Sequence, residues 1–338
     1  MKITTIGLDI AKAIFHLVAV NPQGKPVTRK QLKRKQVLAY FAKLEPCLVA
    51  MEACGGANYW AREFQALGHE VKLIAPQYVK AYVRGNKNDY NDAAAIAEAA
   101  QRPTMRFVPI KSVEQQDVQN MHRLRERLKR EQTALSNQTR GLLAEYGIVI
   151  HKGIATLKRE LPLILEDATN GLTVGARALF AELLDELARL NERIRRCEEK
   201  IKAVNQASEQ SQRLGEILGI GPITASALYA AAGNGSDFVN GRHFSAWLGL
   251  VPGQHSTGGK PVLLGISKRG NSYLRTLLIH GARAVLRHSA GKADRFSLWA
   301  QSLLERRGHN RACVAVANKM ARIAWVIMAK GERYHPAG

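Results

Sequence analysis

Residues 3–20 read Ile3-Thr4-Thr5-Ile6-Gly7-Leu8-Asp9-Ile10-Ala11-Lys12-Ala13-Ile14-Phe15-His16-Leu17-Val18-Ala19-Val20, followed by Asn21-Pro22-Gln23-Gly24-Lys25. Ile3–Ile10 and Phe15–Val20 are apolar runs of strand length, and the next five residues carry turn chemistry, so a β-hairpin is expected. Outward from it, a helix is expected around Val37–Leu44 and a short buried strand over Cys47–Glu52, closed by Ala53-Cys54-Gly55-Gly56. A helix over Tyr59–Leu67, a strand over His69–Ala75 and an alanine-rich helix over Asp92–Ala100 follow. Antiparallel strands and then a strand–helix–strand unit imply a mixed sheet flanked by helices.

Four carboxylates stand out on this frame. Asp9 closes the first strand, Glu52 closes a later one, and Asp89 and Asp92 lie three apart where a helix begins. Residues three apart share one side of a helical turn. Neighbouring strand ends and a helix start could bring the four together, and clustered carboxylates stay ionised only with a cation among them. Oxygen-only ligation suits Mg²⁺ or Mn²⁺. The simpler alternative is that Asp89 or Asp92 caps its helix. Glu52 is harder to dismiss, because a carboxylate closing Leu48-Val49-Ala50-Met51 is costly without a partner.

The chain has 338 residues and a net charge of +22, so two or three domains and an acidic partner, nucleic acid first, are expected. Residues 1–110 carry +8, 111–210 carry +2 and 211–338 carry +12, which reads as two basic units joined by a neutral spacer. Four cysteines without a C-x-x-C spacing argue against zinc ribbons and disulfide scaffolds. The start, Met1-Lys2-Ile3-Thr4-Thr5, lacks signal-peptide features, and no apolar run approaches a membrane span. A soluble cytoplasmic protein without membrane contact is expected.

In the middle segment Phe180, Leu183, Leu187, Leu190, Ile194, Cys197, Ile201 and Val204 alternate at spacings of three and four. That is a heptad seam. Met121, Leu124, Leu128, Leu135 and Leu142 follow the same register, with Glu131 and Gln138 in two core slots. Two long helices linked through the stretch around Gly147–Gly175 could form an antiparallel hairpin or pair with a second chain; dimerisation is the sharper expectation.

The last third reads as a phosphate-handling unit. Leu218-Gly219-Ile220-Gly221-Pro222 carries the turn of a helix–hairpin–helix, in which Gly219 and Gly221 would let a phosphate approach the backbone; an ordinary tight turn is the alternative. His255-Ser256-Thr257-Gly258-Gly259-Lys260 places hydroxyls on a loop near Lys260, Lys268, Arg269 and Arg275. Such a hydroxyl could attack a phosphodiester, although from the residues alone a passive phosphate-binding loop is the simpler reading. On the last helix, Arg311, Lys319, Arg322 and Lys330 fall within an arc of about 100°, opposite Cys313, Val316, Met320, Ile323 and Ile327. A basic stripe with few acidic partners suits a nucleic-acid backbone.

These pieces together resemble the insertion-sequence one-ten family of transposases, in its eleven-eleven subgroup. The resemblance rests on Gly7-Leu8-Asp9-Ile10-Ala11-Lys12, Met51-Glu52-Ala53, Asn86-Lys87-Asn88-Asp89-Tyr90-Asn91-Asp92-Ala93, Leu218–Pro222, and Gly249-Leu250-Val251-Pro252 through Ile266-Ser267-Lys268-Arg269-Gly270-Asn271. It implies an α/β RuvC-like (RNase H-like) domain over 1–110, a coiled coil over 111–210 and a mostly helical transposase domain over 211–338. It makes Asp9, Glu52, Asp89 and Asp92 an Asp-Glu-Asp-Asp metal site. It further implies a serine that joins covalently to DNA, a structured guide RNA, donor and target DNA, and a homodimer or homotetramer whose sites combine subunits. Counting back from Gly258 selects Thr257, whereas matching chemistry selects Ser256; Ser256 is the expected nucleophile, and Ser267 is at most a phosphate contact. A RuvC-type structure-selective endonuclease without a covalent intermediate, and a non-catalytic nucleic-acid-binding protein, are the alternatives.

Overall fold

Six strands form one sheet in the order β3-β2-β1-β4-β5-β6: β1 (Thr5–Asp9), β2 (Ile14–Val20), β3 (Pro26–Lys33), β4 (Leu48–Glu52), β5 (Glu70–Ile74) and β6 (Phe107–Val108). The computed structural model describes residues 2–86 and 88–335, so Lys87 of the motif quoted above lies outside them. β1 runs antiparallel to β2 and parallel to β4, which is parallel to β5, so the sheet is mixed as expected. Helices α1 (Val37–Phe41), α2 (Ala57–Ala66), α3 (Pro76–Val79) and α4 (Asp89–Ala100) flank it. One face buries Ile6, Leu8, Phe15, Leu17, Met51, Trp60 and Phe64 in a continuous core.

β3 is a strand that hydrophobic patterning misses. The Asn21–Lys25 turn, in which Asn21 Oδ1 accepts from Gln23 N (3.1 Å) and Lys25 N (2.9 Å), leads from β2 into β3, while Ile10–Ala13 joins β1 to β2. Its sequence, Pro26-Val27-Thr28-Arg29-Lys30-Gln31-Leu32-Lys33, fully buries Leu32 alone. It is an edge strand whose basic side chains need no alternation and discourage further pairing.

On the opposite face α4 lies almost on the strand backbone. A Cβ on Gly7 would sit 2.0 Å from Ala93 O and 2.5 Å from Ala97 N. Only a glycine facing alanines permits this approach, and Val18, Val20, Ala93 and Ala97 seal it. β1 and α4 thereby acquire a fixed register, which sets where their ends meet.

By contacts the chain divides into two compact units, Met1–Gln115 with Ala231–Gly233, and Gln116–Ala230 with Asn234–Gly338. The second unit is built from α5 (Val113–Ala144), α6 (Ile154–Glu166), α7 (Val174–Ala207), α8 (Glu209–Gly215), α9 (Pro222–Ala232), α10 (Gly241–Trp247), the hairpin β7 (Pro252–Gln254) and β8 (Leu263–Ile266), α11 (Ser272–His288), α12 (Arg295–Arg307) and α13 (His309–Lys330). α5 and α7 pair within the chain: Arg125 Nη2 lies 2.7 Å from Glu198 Oε1, Cys197 Sγ donates to Met121 O, and Leu128 and Leu135 share a core with Leu187, Leu190 and Ile194. The seam on α5 is displaced from the expected one. Leu124 and Gln138 face solvent, whereas Gln132, Ser136, Thr139 and Leu143 are buried. A helix of 3.6 residues per turn drifts off a strict seven-residue repeat, and Gln132 is satisfied inside by donating to Asn191. The linker between the two long helices holds a helix of its own, α6, which runs through Pro162 and buries Leu157 and Leu161.

A polar network fastens α5 to α9 and α11. Ser226 Oγ donates to Pro222 O (2.7 Å), which leaves it to accept from His122 Nε2 (3.1 Å), while Tyr273 OH donates to His122 Nδ1 (3.0 Å). Burial, with the nearby Arg125 charge, pushes the imidazole down to about 4, so His122 is a neutral linker. α13 is long and apolar enough by composition to cross a membrane; here it buries Val316, Met320, Ala324 and Ile327 within the unit.

Candidate functional site

Asp9 and Glu52 end adjacent parallel strands, with Leu8 paired to Met51 one residue before them. α4 supplies the other two acids from its first turn. Asn88 caps that helix, its Oδ1 accepting from Tyr90 N at 2.9 Å, so neither Asp89 nor Asp92 is the cap. Their carboxylates are left for another purpose. The contact of Gly7 with Ala93 and Ala97 brings this helix start over the end of β1.

The electrostatics tie the four together. Burial raises the Asp9 carboxyl above its ordinary value, and the charges of Asp89 and Asp92 raise it further, against a lowering by His16. Burial likewise raises Glu52, with Asp9 and Asp92 adding to it. Among the described residues no Lys or Arg pairs with any of the four. Asp9, Glu52 and Asp92 are half-buried and Asp89 is exposed; acids that repel one another suit a hard divalent cation, which would reverse the shifts.

Sequence reading missed His16. Its Nδ1 lies 3.3 Å from Asp89 Oδ2, and ligand atoms of Asp9, His16 and Asp89 all fall within 4.8 Å of one another. The signal was present, because an antiparallel pairing of β1 and β2 sets His16 directly across from Asp9. Its ring is held edge-on to Tyr90 at 4.9 Å between centroids.

Ser256 stands at the head of the β7–β8 hairpin rather than on an open loop. Thr257 and Lys260 close a two-residue turn in which Gly258 and Gly259 both have positive φ, as such turns require. Ser256 Oγ accepts from Gln254 Nε2 (2.8 Å) and from Val262 N (3.2 Å), and among the described residues no acceptor takes its own proton. Thr257 contributes its carbonyl to the turn, accepting from Lys260 N at 3.1 Å. Val262, Leu263 and Leu264 are exposed beside it.

A family model described as transposase, the DEDD type of IS110, matches residues 6–148, and one described as the IS116/IS110/IS902 transposase family matches residues 211–297. A Pseudomonas aeruginosa protein named as a probable family 20 transposase is 53% identical over 99% of this chain and 100% of its own length. The Coxiella burnetii transposase for insertion sequence element IS1111A is 51% identical over 98% of this chain and 91% of its own length. The chain belongs to the IS110 family of insertion-sequence transposases. A third member, the Yersinia enterocolitica transposase for IS1328, is 41% identical over 98% of both chains.

Membership makes DNA the substrate of this transposase, and its basic residues divide by what they touch. Arg275 Nη1 donates to Leu248 O (3.1 Å) and to Arg269 O (2.9 Å), clamping the two roots of the hairpin. Gly249 and Gly270 make that clamp possible, since a Cβ on either would run into Arg269 O or Trp247 O. Gly219 likewise serves packing: its φ is +83°, and a Cβ would lie 2.7 Å from Val285 Cγ2 and 2.8 Å from Gly281 O. Gly221 alone of that pair is open, with nothing within 4 Å. Lys260, Lys268 and Arg269 are exposed around the hairpin. Ser267 Oγ is buried without a hydrogen-bond partner among the described residues. Arg311, Lys319 and Arg322 line one cavity, while Lys330 lies 4.0 Å from Glu332 at the end of α13.

Proposed function

We propose that the transposase exchanges DNA strands through a covalent seryl–DNA intermediate, with Asp9, Glu52, Asp89, Asp92 and His16 forming a divalent-cation site for Mg²⁺ or Mn²⁺. The convergence of carboxylates from two strand ends and one helix start carries this reading. The strand order, with acids at the ends of a central parallel pair, fits the RuvC-like class. Bound there, a divalent cation would stabilise negative charge on the phosphoryl oxygens.

The chain's own part is then direct. Ser256 Oγ attacks a phosphorus, forms a seryl phosphodiester and expels a deoxyribose oxygen, which leaves as a free hydroxyl. A hydroxyl of the exchanged strand reverses the attack, restores the DNA linkage and frees the serine. Gln254 Nε2 and Val262 N both face Ser256 Oγ, and two donors stabilise the alkoxide character that develops as its proton departs. That supports Ser256 over Thr257. The open backbone at Gly221 and the cations around the hairpin supply sequence-independent phosphate contacts of the helix–hairpin–helix kind.

Target choice is assigned to a structured guide RNA. The protein then needs only shape and charge complementarity, which a net charge of +22 provides. The paired helices within 111–210 form the coiled-coil element between the 1–110 and 211–338 domains, and the exposed remainder of their surface serves assembly into a homodimer or homotetramer in the cytoplasm. Incubating protein, guide RNA and cognate DNA, then denaturing, should trap a protein–DNA adduct. Persistence of the adduct in Ser256→Ala moves the nucleophile, to Thr257 first, and full recombination by Asp9→Ala or Glu52→Ala removes the metal role. Hydrolysed ends without adduct favour the structure-selective endonuclease instead.

A further inference from the structure

The second unit holds a cavity of about 920 Å³ bounded by α10, α12, α13 and the start of β7. Four cations reach it, Arg242, Arg311, Lys319 and Arg322, and no acidic residue lines it among those described. The three arginines are exposed and form no salt bridge among the described residues. Two indoles complete the walls, Trp299 and Trp325. Trp325 is fixed by donating Nε1 to Gly235 O and Phe238 O, both at 3.1 Å, so it offers the cavity its apolar ring. Lys319 Nζ lies 4.2 Å from the Trp299 ring centroid and 5.0 Å from that of Phe296, which holds the ammonium inside the cavity instead of out in solvent. Burial first, and then the charges of Arg295 and Arg322, lower the Lys319 amine from its ordinary value.

A volume of this size accommodates a nucleotide-sized group. Uncompensated guanidinium groups select phosphate, and flat indole walls select bases free to stack on them. Pro252 lines the cavity and opens β7, whose last residue, Gln254, donates to Ser256. The cavity thus adjoins the first strand of the hairpin.

We propose that this cavity binds one or two unpaired nucleotides of the DNA being transposed, with phosphate on Arg311 and Arg322 and base against Trp299. The proposal requires only that the chain is a DNA transposase; it stands whether or not Ser256 is the nucleophile or the acids hold a cation.

The test uses the full-length protein and a fluorescein-labelled eight-residue oligothymidine, beside the same oligomer in a duplex and an oligouridine. Trp299→Leu should weaken oligothymidine binding about tenfold or more, the loss of one stacked base, with duplex binding changed less than twofold. Arg311→Ala with Arg322→Ala should lower the slope of log affinity against log salt by about 1.4 for the single strand, the release expected for two phosphates. In the unaltered protein, an oligomer carrying 5-iododeoxyuridine should photocrosslink within α12 or α13. An unchanged oligothymidine affinity in these variants, an equal loss on duplex, tighter binding of oligouridine with the same losses, or crosslinks confined to other elements would each overturn the proposal. None of these readouts depends on adduct formation or on added metal.

Discussion

Asp9 and Ser256 differ in what holds them. Asp9 ends a strand with neighbours on both sides, under a helix whose distance from it is set by Gly7, Ala93 and Ala97. Ser256 heads a two-stranded hairpin with exposed flanks, and the contacts on its hydroxyl come from Gln254 and Val262 of the same hairpin. The acids are thus placed by long-range packing. The serine is placed by the local geometry of a hairpin that Arg275 clamps at its roots. On the mechanism proposed above, a rigidly placed set of acids and a locally held serine divide the work of strand exchange, in which one hydroxyl must serve more than one DNA end.

That contrast can be broken most directly at the serine. Ser256→Ala should abolish adduct formation, a loss of at least about 10³-fold, without changing the thermal unfolding midpoint; a shifted midpoint would show the hairpin to be structurally tied in. Gly7→Ala should destabilise the first unit by about 3 kcal/mol, because its Cβ meets backbone and not a yielding side chain. Gly258→Ala, at a positive φ but in open space, should cost about 1 kcal/mol. Chemical denaturation of the two variants compares them, and equal costs would erase the distinction between the regions.

His122 gives a pH handle on the second unit alone. Its folded pKa of about 4 lies below the ordinary 6.5, so the unfolded chain binds the extra proton between these values. Stability should fall as pH drops through that window, by about 3 kcal/mol in all, and His122→Gln should flatten the profile measured by urea titration. At the acid site, His16→Asn should weaken Mn²⁺ binding about tenfold, read by electron paramagnetic resonance without DNA, and more than it weakens Mg²⁺, since imidazole is the softer ligand.

The smallest effect concerns the acids without a cation. Asp9 and Glu52 titrate above their ordinary range in the fold. Their contribution to stability is therefore full below the unfolded carboxylate values and declines as pH rises through the folded ones. Asp9→Asn should raise the melting temperature in chelator at neutral pH by roughly 1–2 °C, screening at this partly exposed site keeping the gain small. A lowered melting temperature would mean that Asp9 is structurally paired.

How far each feature could be read from sequence follows from which forces place it. β1, β2 and β4 carry dense apolar runs, and the carboxylates at the ends of β1 and β4 stand out because they close them. β3 was invisible since an edge strand needs no second apolar face. The interior of α5 was misread where Gln132 and Thr139 are buried through hydrogen bonds, to Asn191 and Leu135 O, that no hydrophobic period reports. His16 and Arg275 required knowing which backbone lies opposite, through strand register for one and the hairpin roots for the other. At Gly219 the sequence shows the missing side chain but not what approaches it, which in the fold is α11.

The clearance between Gly7 and Ala93 also limits how this chain can be re-engineered. With a strand and a helix separated by a single backbone thickness, no substitution inside that interface can widen or narrow the gap by a small step. On the proposed cation reading, retuning the ion preference falls to side chains on the rim, such as His16, while the spacing itself stays locked for as long as the two elements face each other there.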